Sequence, residues 1–146
     1  MDAPAPPTAM PIRVLLADDN AEFLLELHRV FENLPDITVV ADAVSGVQAL
    51  YLACVLRPDV AVLDVRMPGL TGIQATQRIS TLSPAPAVIL LSIITDRSYL
   101  IEAARIGAAG YFSKTSSPSE LVEAVRSVAK GDKFLGLLSP ATPGQP

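Results

Sequence analysis

The feature that most constrains the fold of this chain is a fivefold alternation of short apolar runs with segments of helical periodicity. The apolar runs are IRVLLA, ITVVA, DVAVLD, AVILLS and YFSK. The segments after them place apolar residues every three or four positions, which is typical of amphipathic helices. Strands that are almost continuously apolar and alternate with helices predict a parallel sheet covered on both faces. The expected fold is therefore α/β, with a doubly wound five-stranded sheet.

Capping residues, prolines and glycines predict where the helices begin and end. The helices are expected at residues 21–34, 45–57, 73–82, 96–106 and 117–130. The fourth is expected to be capped by Thr95 or Asp96, and the last opens with Ser117, Pro118 and Glu120, a complete capping box. In the second helix the apolar pattern predicts an inner face made of Val47, Leu50, Tyr51 and Cys54.

Length and composition predict one folded domain with a tail at each end. The chain has 146 residues, enough for one domain with a substantial core. Residues 1–11 carry four prolines and are expected to be a disordered tail, residues 12–133 form the domain, and residues 134–146, with three prolines, form a linker or tail.

Charge, cysteine content and hydropathy argue against several classes of protein. The formal net charge of -4 gives no support for nucleic-acid binding by this chain. No apolar run reaches the roughly 20 residues of a membrane span, and no signal peptide is visible, so a cytoplasmic protein is expected. The single cysteine, Cys54, permits no internal disulfide and is expected to be a small core residue.

Polar side chains follow four of the five predicted strands. Asp18 and Asp19 follow the first strand, Asp64 ends the third, Ser92 ends the fourth, and Lys114 ends the fifth. Right-handed crossovers bring the carboxyl ends of parallel strands to one edge of the sheet, where ligands bind in open sheets of this kind. The second strand ends in Asp42 and Ala43, which suggest no chemistry.

If the strand order is 2-1-3-4-5, one of two common arrangements, Asp18 and Asp19 flank Asp64. Ser92 is then one strand away, and Lys114 is two strands away, roughly 10 Å, a gap that a long side chain spans. Three clustered carboxylates suggest Mg²⁺. A carboxylate beside a metal, a hydroxyl and an ammonium group can form an aspartyl phosphate.

Each of these residues also has an ordinary structural explanation. One of the two adjacent aspartates could cap the helix that follows them, Asp64 could be a turn residue, and Ser92 a local cap. Lys114 could be a solvated charge. The convergence of all of them on one predicted edge favours a functional site.

The polar residues at the strand ends and the motifs around them resemble those of a known family. From about Ile12 to Lys133 the chain resembles the receiver domain of two-component response regulators, which has the flavodoxin-like fold. The matching motifs are ADDN, VLDVRMPGLTG, LLS followed by an apolar pair and Thr95, and GAAGYFSK. The resemblance implies the roles of the site residues. Asp64 would be the phosphoacceptor, and Mg²⁺ would be held by Asp18, Asp19, Asp64 and the Arg66 carbonyl. Ser92 and Lys114 would contact the phosphoryl group. Ser92 and Tyr111 would form the switch.

The resemblance also implies partners. The phosphoryl donor would be a sensor histidine kinase or a small phosphodonor, and the phosphorylated chain is expected to form a homodimer. RMPG and SPSELVEAVRSVAKGDKFL are most similar to the subfamily that carries a LuxR-type helix-turn-helix, which implies transcriptional control through a domain outside this sequence. Thr115 stands where many receivers have proline, and Ser92 where threonine is commoner.

Three other functions compete with a phosphorylation switch. A receiver-like interaction module that acts without phosphorylation would not need the four polar positions together. A phosphatase with an aspartate nucleophile would need an acid at the position of Arg66, and a flavin-binding domain would need a phosphate-binding loop where DDNAE stands. His28, the only histidine, has no evident second group to make it a phosphocarrier.

Overall fold

The computed structural model describes residues 10–94 and 96–133 of the chain. Most of the predicted N-terminal tail, Thr95 and the whole predicted tail of residues 134–146 lie outside the described residues. Within them, the predicted alternation of strands and helices is confirmed.

Five parallel strands form one sheet in the order β2-β1-β3-β4-β5, as predicted. The strands are β1 (Ile12–Ala17), β2 (Ile37–Ala43), β3 (Val60–Asp64), β4 (Ala87–Ser92) and β5 (Gly110–Ser113). β3 is central and completely buried, as its continuous apolar sequence requires. Its last residue, Asp64, therefore stands at the middle of the carboxyl edge.

Helices cover both faces of the sheet. They are α1 (Ala21–Phe31), α2 (Gly46–Leu56), α3 (Gly72–Ile79), α4 (Arg97–Arg105) and α5 (Pro118–Ala129). One core joins α1 and α5 to the sheet through residues such as Leu27 and Val125, and the other joins α2, α3 and α4 through residues such as Ala53 and Ile79. None of the helices in these described residues combines the length and hydropathy that crossing a bilayer requires.

The inner face predicted for α2 is wrong at three of its four positions, and only Leu50 is partly buried and packs against the core. Its buried residues are Gly46, Ala49 and Ala53, whereas Val47 and Tyr51 are 62% and 63% exposed. Cys54 is exposed too, so the prediction that it is a core residue is also wrong. The helix is apolar on nearly all sides, so periodicity could not identify its inner face. The inner face is instead determined by close packing at Gly46, where a Cβ would overlap the backbone carbonyl of Leu70.

Several element boundaries differ from the predicted ones for local reasons. α1 ends at Phe31 rather than residue 34, because Asn33 adopts a φ of +70° that no helix continues. α3 ends at Ile79, before residue 82, and Thr71 caps its start in a capping box with Gln74. Asp96 caps α4, as one of the two predicted alternatives had it. The capping box of α5 is confirmed.

The loop after β3 is held close to the sheet by a glycine. Gly72 opens α3, and a Cβ there would overlap the backbone carbonyl oxygen of Asp64. Its amide donates a hydrogen bond to the Val65 carbonyl at 2.8 Å. This close approach determines how α3 and the loop of residues 65–71 lie around the end of β3.

Candidate functional site

The two adjacent aspartates after β1 occupy different environments. Asp18 is buried, with 1% of its surface exposed, whereas Asp19 is exposed. The amide of Asp18 donates to the Ala43 carbonyl, and its Oδ1 accepts from the amide of Asn20 at 2.8 Å. Asn20, not either aspartate, caps α1 by accepting hydrogen bonds from the amides of Glu22 and Phe23. The alternative explanation of Asp18 or Asp19 as the cap of α1 is therefore wrong.

Asp64 lies at the carboxyl end of β3 with 6% of its surface exposed. The nearest cation is the ammonium of Lys114, whose Nζ is 3.4 Å from Asp64 Oδ1. The same Nζ is 2.7 Å from Asp18 Oδ2. A single ammonium group therefore bridges carboxylates that follow two neighbouring strands.

Lys114 reaches this position across the sheet from the residue after β5. Its amide donates to the Ser92 carbonyl at 2.9 Å, which continues the β4–β5 pairing. Its Nζ stands 4.5 Å from the centroid of the Phe23 ring, a cation–π contact from the first turn of α1. The side chain is only 15% exposed, so its charge acts on the two carboxylates with little screening.

Burial and the neighbouring charges together shift the pKa of Asp64. Its pKa is raised above the ordinary value of 3.8, first because burial removes water from the carboxylate and then because Asp18 is close. Lys114 and the backbone amide of Arg66 lower the pKa without cancelling that effect. Ionisation of Asp64 is therefore less favourable in the folded protein than in the unfolded chain.

The three aspartates fit a divalent cation. Asp18, Asp19 and Asp64 each offer one carboxylate oxygen, and these oxygens lie within 4.8 Å of one another. Oδ2 of Asp18 is buried without a hydrogen-bond donor, because Lys114 approaches it closely but outside hydrogen-bonding geometry. Oxygen donors of this kind match a hard ion such as Mg²⁺. Arg66, whose carbonyl was predicted as a further ligand, follows on the loop after β3 with an exposed side chain.

Ser92 and Tyr111 meet at the backbone of Ile94. Ser92 is buried at the end of β4, and its Oγ accepts a hydrogen bond from the Ile94 amide at 2.9 Å. The Tyr111 hydroxyl donates to the Ile94 carbonyl at 2.8 Å. The sequence resemblance implied that Tyr111 moves inward during switching, and in this structure the ring is already fully buried. Burial also raises the pKa of its hydroxyl.

Other contacts near the sheet edge were not anticipated from the sequence. Phe23, whose ring contacts Lys114, was not among the residues that the sequence singled out. His28 Nε2 lies 2.6 Å from Asp42 Oδ1, so both residues have a partner that the sequence did not indicate. Among the described residues the only cis peptide bond joins Ser83 and Pro84, so the bond between Lys114 and Thr115 is trans.

The pKa of Asp64 gives a stability prediction. In metal-free buffer at pH 7, Asp64→Asn is expected to raise the free energy of unfolding, because it removes an ionised carboxylate from a desolvated position beside Asp18. Because the pKa of Asp64 is raised in the folded state, the wild-type protein loses free energy of unfolding when Asp64 ionises. This loss shrinks as the pH falls through the folded-state pKa toward 3.8. The difference between variant and wild type, measured by urea unfolding with a chelator present, should therefore shrink over that interval.

Asp36→Asn is a control that should change the free energy of unfolding in the opposite direction. Arg126 lowers the pKa of Asp36 by hydrogen bonding, so this carboxylate stabilises the protein above its unfolded pKa and the benefit is lost at lower pH. Asp36→Asn should therefore destabilise the protein at pH 7, and less so in acid. A pH-independent effect of Asp64→Asn, or a loss of stability at pH 7, would contradict the electrostatic picture of the site.

Comparisons with known proteins identify relatives of the whole domain. The family model described as the response regulator receiver domain matches residues 14–126. The chain is 34% identical over 124 residues to the response regulator UvrY of Escherichia coli K12, covering 85% of this chain and 57% of UvrY. The chain thus spans little more than half the length of this curated relative.

Solved structures share the fold and part of the sequence. The signal receiver domain of the response regulator NarL from Mycobacterium tuberculosis matches with a TM-score of 0.81 and 34% identity, over 84% of this chain and 98% of that one. A two-component response regulator of the LuxR family from Aurantimonas matches with a TM-score of 0.80 and 31% identity, over 85% and 89%. These similarities agree with the flavodoxin-like receiver fold and the LuxR-type subfamily expected from the motifs. The chain belongs to the family of two-component response regulator receiver domains.

Proposed function

We propose that this chain is a phosphorylation switch in which Asp64 accepts a phosphoryl group from the phosphohistidine of a sensor histidine kinase. The observation that carries the proposal is the bridging ammonium. Lys114 lies 2.7 Å from Asp18 and 3.4 Å from Asp64 at the carboxyl edge of the central strand. This arrangement supports Asp64 as the nucleophile, because a phosphoryl group transferred to it would need a positive charge nearby.

The aspartate cluster supports a Mg²⁺ requirement. Asp18, Asp19 and Asp64 would hold the ion together with the backbone carbonyl of Arg66. When bound, Mg²⁺ neutralises charge on the transferring phosphoryl group and orients it. It would also offset the repulsion between Asp18 and Asp64, which raises the pKa of Asp64 in the metal-free protein.

The chain's own residues account for the transfer. An oxygen of the Asp64 carboxylate forms a bond to phosphorus while the phosphorus–nitrogen bond of the donor histidine breaks, and that electron pair returns to the imidazole. Lys114 neutralises the phosphoryl oxygens, and the Ser92 hydroxyl donates a hydrogen bond to one of them. Because Ser92 Oγ already accepts from Ile94, it can donate its proton without breaking that contact.

We infer that Ser92, Ile94 and Tyr111 move as one unit. Phosphorylation adds a charge of about -1.5 to -2. A hydrogen bond to a charged group contributes roughly 1.5–3 kcal/mol, and reversing a two-state balance from 1:99 to 99:1 takes about 5.5 kcal/mol. Contacts from both Ser92 and Lys114 would approach that amount, whereas one would not. Movement of Ile94 would carry the Tyr111 hydroxyl that is bonded to its carbonyl.

The output of the switch is proposed from the relatives. The chain matches little more than half of the response regulator UvrY, and it is also similar to a LuxR-family response regulator from Aurantimonas. We infer a cytoplasmic receiver that controls transcription through a separate DNA-binding domain and homodimerises when phosphorylated. An acidic net charge of -4 favours contact with other proteins over direct binding of nucleic acid by this chain.

The alternative is a receiver-like interaction module that works without phosphorylation. It would need the surfaces of the fold but not the buried aspartates. Asp18 and Asp64 are costly to bury, which favours a chemical role for the site. The two functions differ in whether a phosphoryl adduct forms at all.

The proposal is tested by acetyl phosphate with Mg²⁺ and intact mass measurement. Wild type should gain the mass of one phosphoryl group, because Asp64, at the end of the central strand, is the one proposed phosphoacceptor. Asp64→Asn should gain none, and excess chelator should abolish the adduct. Asp132→Asn, an exposed position after α5, is the matched control and should react like wild type. An adduct that persists in Asp64→Asn would refute the assignment, and no adduct on wild type would favour the interaction module.

The switch is tested by sedimentation with a beryllofluoride phosphoryl mimic. Wild type is expected to dimerise when the mimic binds, and Ser92→Ala to do so at least several-fold more weakly, because the link from phosphate to Ile94 is lost. Ser80→Ala removes an exposed hydroxyl from the end of α3 and should behave like wild type. Fluorine NMR would verify that the mimic binds each protein. Equal mimic-induced dimerisation of wild type and Ser92→Ala would show that Ser92 does not transmit the signal.

A further inference from the structure

A groove crosses the edge of the sheet opposite the aspartate cluster. Its volume is about 450 Å³, and it lies among the ends of α2 and α5 and the segments that lead into β3 and β4. The residues that form its walls include Arg57, Pro58, Pro84, Ala85, Val128 and Gly131. A smaller pocket of about 100 Å³ shares Arg57 and Pro84 with it and reaches Cys54 on α2. The function proposed above uses neither of them.

The chain itself leaves α5 at the mouth of this groove. The Gly131 amide donates to the Val128 carbonyl and the Asp132 amide to the Ser127 carbonyl, at 3.0 and 3.1 Å. With a φ of +104° at Gly131, these bonds form a Schellman cap, which turns the chain away from the helix axis. Because Gly131 is also a wall residue, the chain beyond it starts at the groove.

The next residues after Lys133 are unusually apolar for a tail. They read FLGLL, residues 134–138, and lie outside the described part of the chain. They carry no charge, and water disfavours four large apolar side chains in so short a stretch. Fully extended, five residues span about 16–18 Å. The groove has a volume within the range of pockets that enclose small organic molecules, so it has room for part of such a segment.

We propose that residues 134–138 of this chain dock in the groove. The walls offer exposed apolar surface from Pro84 and Ala85, while the charged wall residues Arg57, Asp59 and Lys130 are exposed and can keep their charges in water. A segment attached at the mouth has an effective concentration of about millimolar, which favours it over a second copy of the chain. Docking would set the direction in which any further chain leaves the receiver. The inference is independent of phosphorylation.

The test uses the fact that the chain contains no tryptophan. Phe134→Trp, made in the full chain, introduces a single fluorophore within the segment, and Leu135→Trp is a second probe should one position tolerate the ring poorly. Pro146→Trp is the reference outside it. Docking predicts blue-shifted emission and acrylamide quenching at least three-fold weaker for a probe in the segment than for the reference. Equal quenching at all three positions would overturn the proposal.

A pair of groove variants shows where the segment binds. Ala85→Arg places a large charged side chain in the groove and should restore strong quenching of the segment probe. Ala104→Arg adds the same side chain at an exposed position of α4 and should leave quenching weak. Protection that survives Ala85→Arg would place the segment elsewhere, and protection that increases with protein concentration would indicate a second copy instead. Either result would overturn the proposal.

Discussion

The structure depends on one ion pair arrangement at the carboxyl edge of the sheet. Asp18 and Asp64 follow adjacent strands, are almost completely buried, and repel each other. The ammonium of Lys114 lies within 3.4 Å of an oxygen on each, and it is supplied from beyond β5, across the sheet. Burying unpaired carboxylates costs several kcal/mol each. Lys114, which follows the edge strand on that side, therefore partly compensates the charge of the two buried carboxylates.

The compensation is incomplete, which agrees with the proposed function. Oδ2 of Asp18 has no directed hydrogen bond, and the pKa of Asp64 remains raised despite Lys114 and the Arg66 amide. A site optimised for stability alone would satisfy or remove these groups. A site that must accept a cation and then a phosphoryl group benefits from leaving them available. Asp64 itself is closely packed, because β3 is fully buried and Gly72 lies against the backbone carbonyl of Asp64.

Much of this organisation could be predicted from the sequence, because it follows from local patterns and the geometry of parallel sheets. Apolar strands ending in aspartate, serine and lysine were enough to place Asp18, Asp19, Asp64 and Lys114 at one edge. The inner face of α2 could not be predicted, since that helix is apolar nearly all round and its packing depends on Gly46 meeting the Leu70 carbonyl. The contacts of Phe23 with Lys114 and of His28 with Asp42 are likewise invisible in a sequence, because they join positions without a shared local pattern.

The most direct test of the account is the affinity of the aspartate cluster for Mg²⁺ when Lys114 is neutralised, measured by isothermal titration calorimetry at low ionic strength. If Lys114 compensates the carboxylates that bind the ion, Lys114→Gln should bind Mg²⁺ several-fold more tightly than wild type. Lys130→Gln, exposed at the end of α5, should leave the affinity unchanged. An affinity of Lys114→Gln equal to or weaker than that of wild type would contradict the electrostatic coupling on which the proposed site rests.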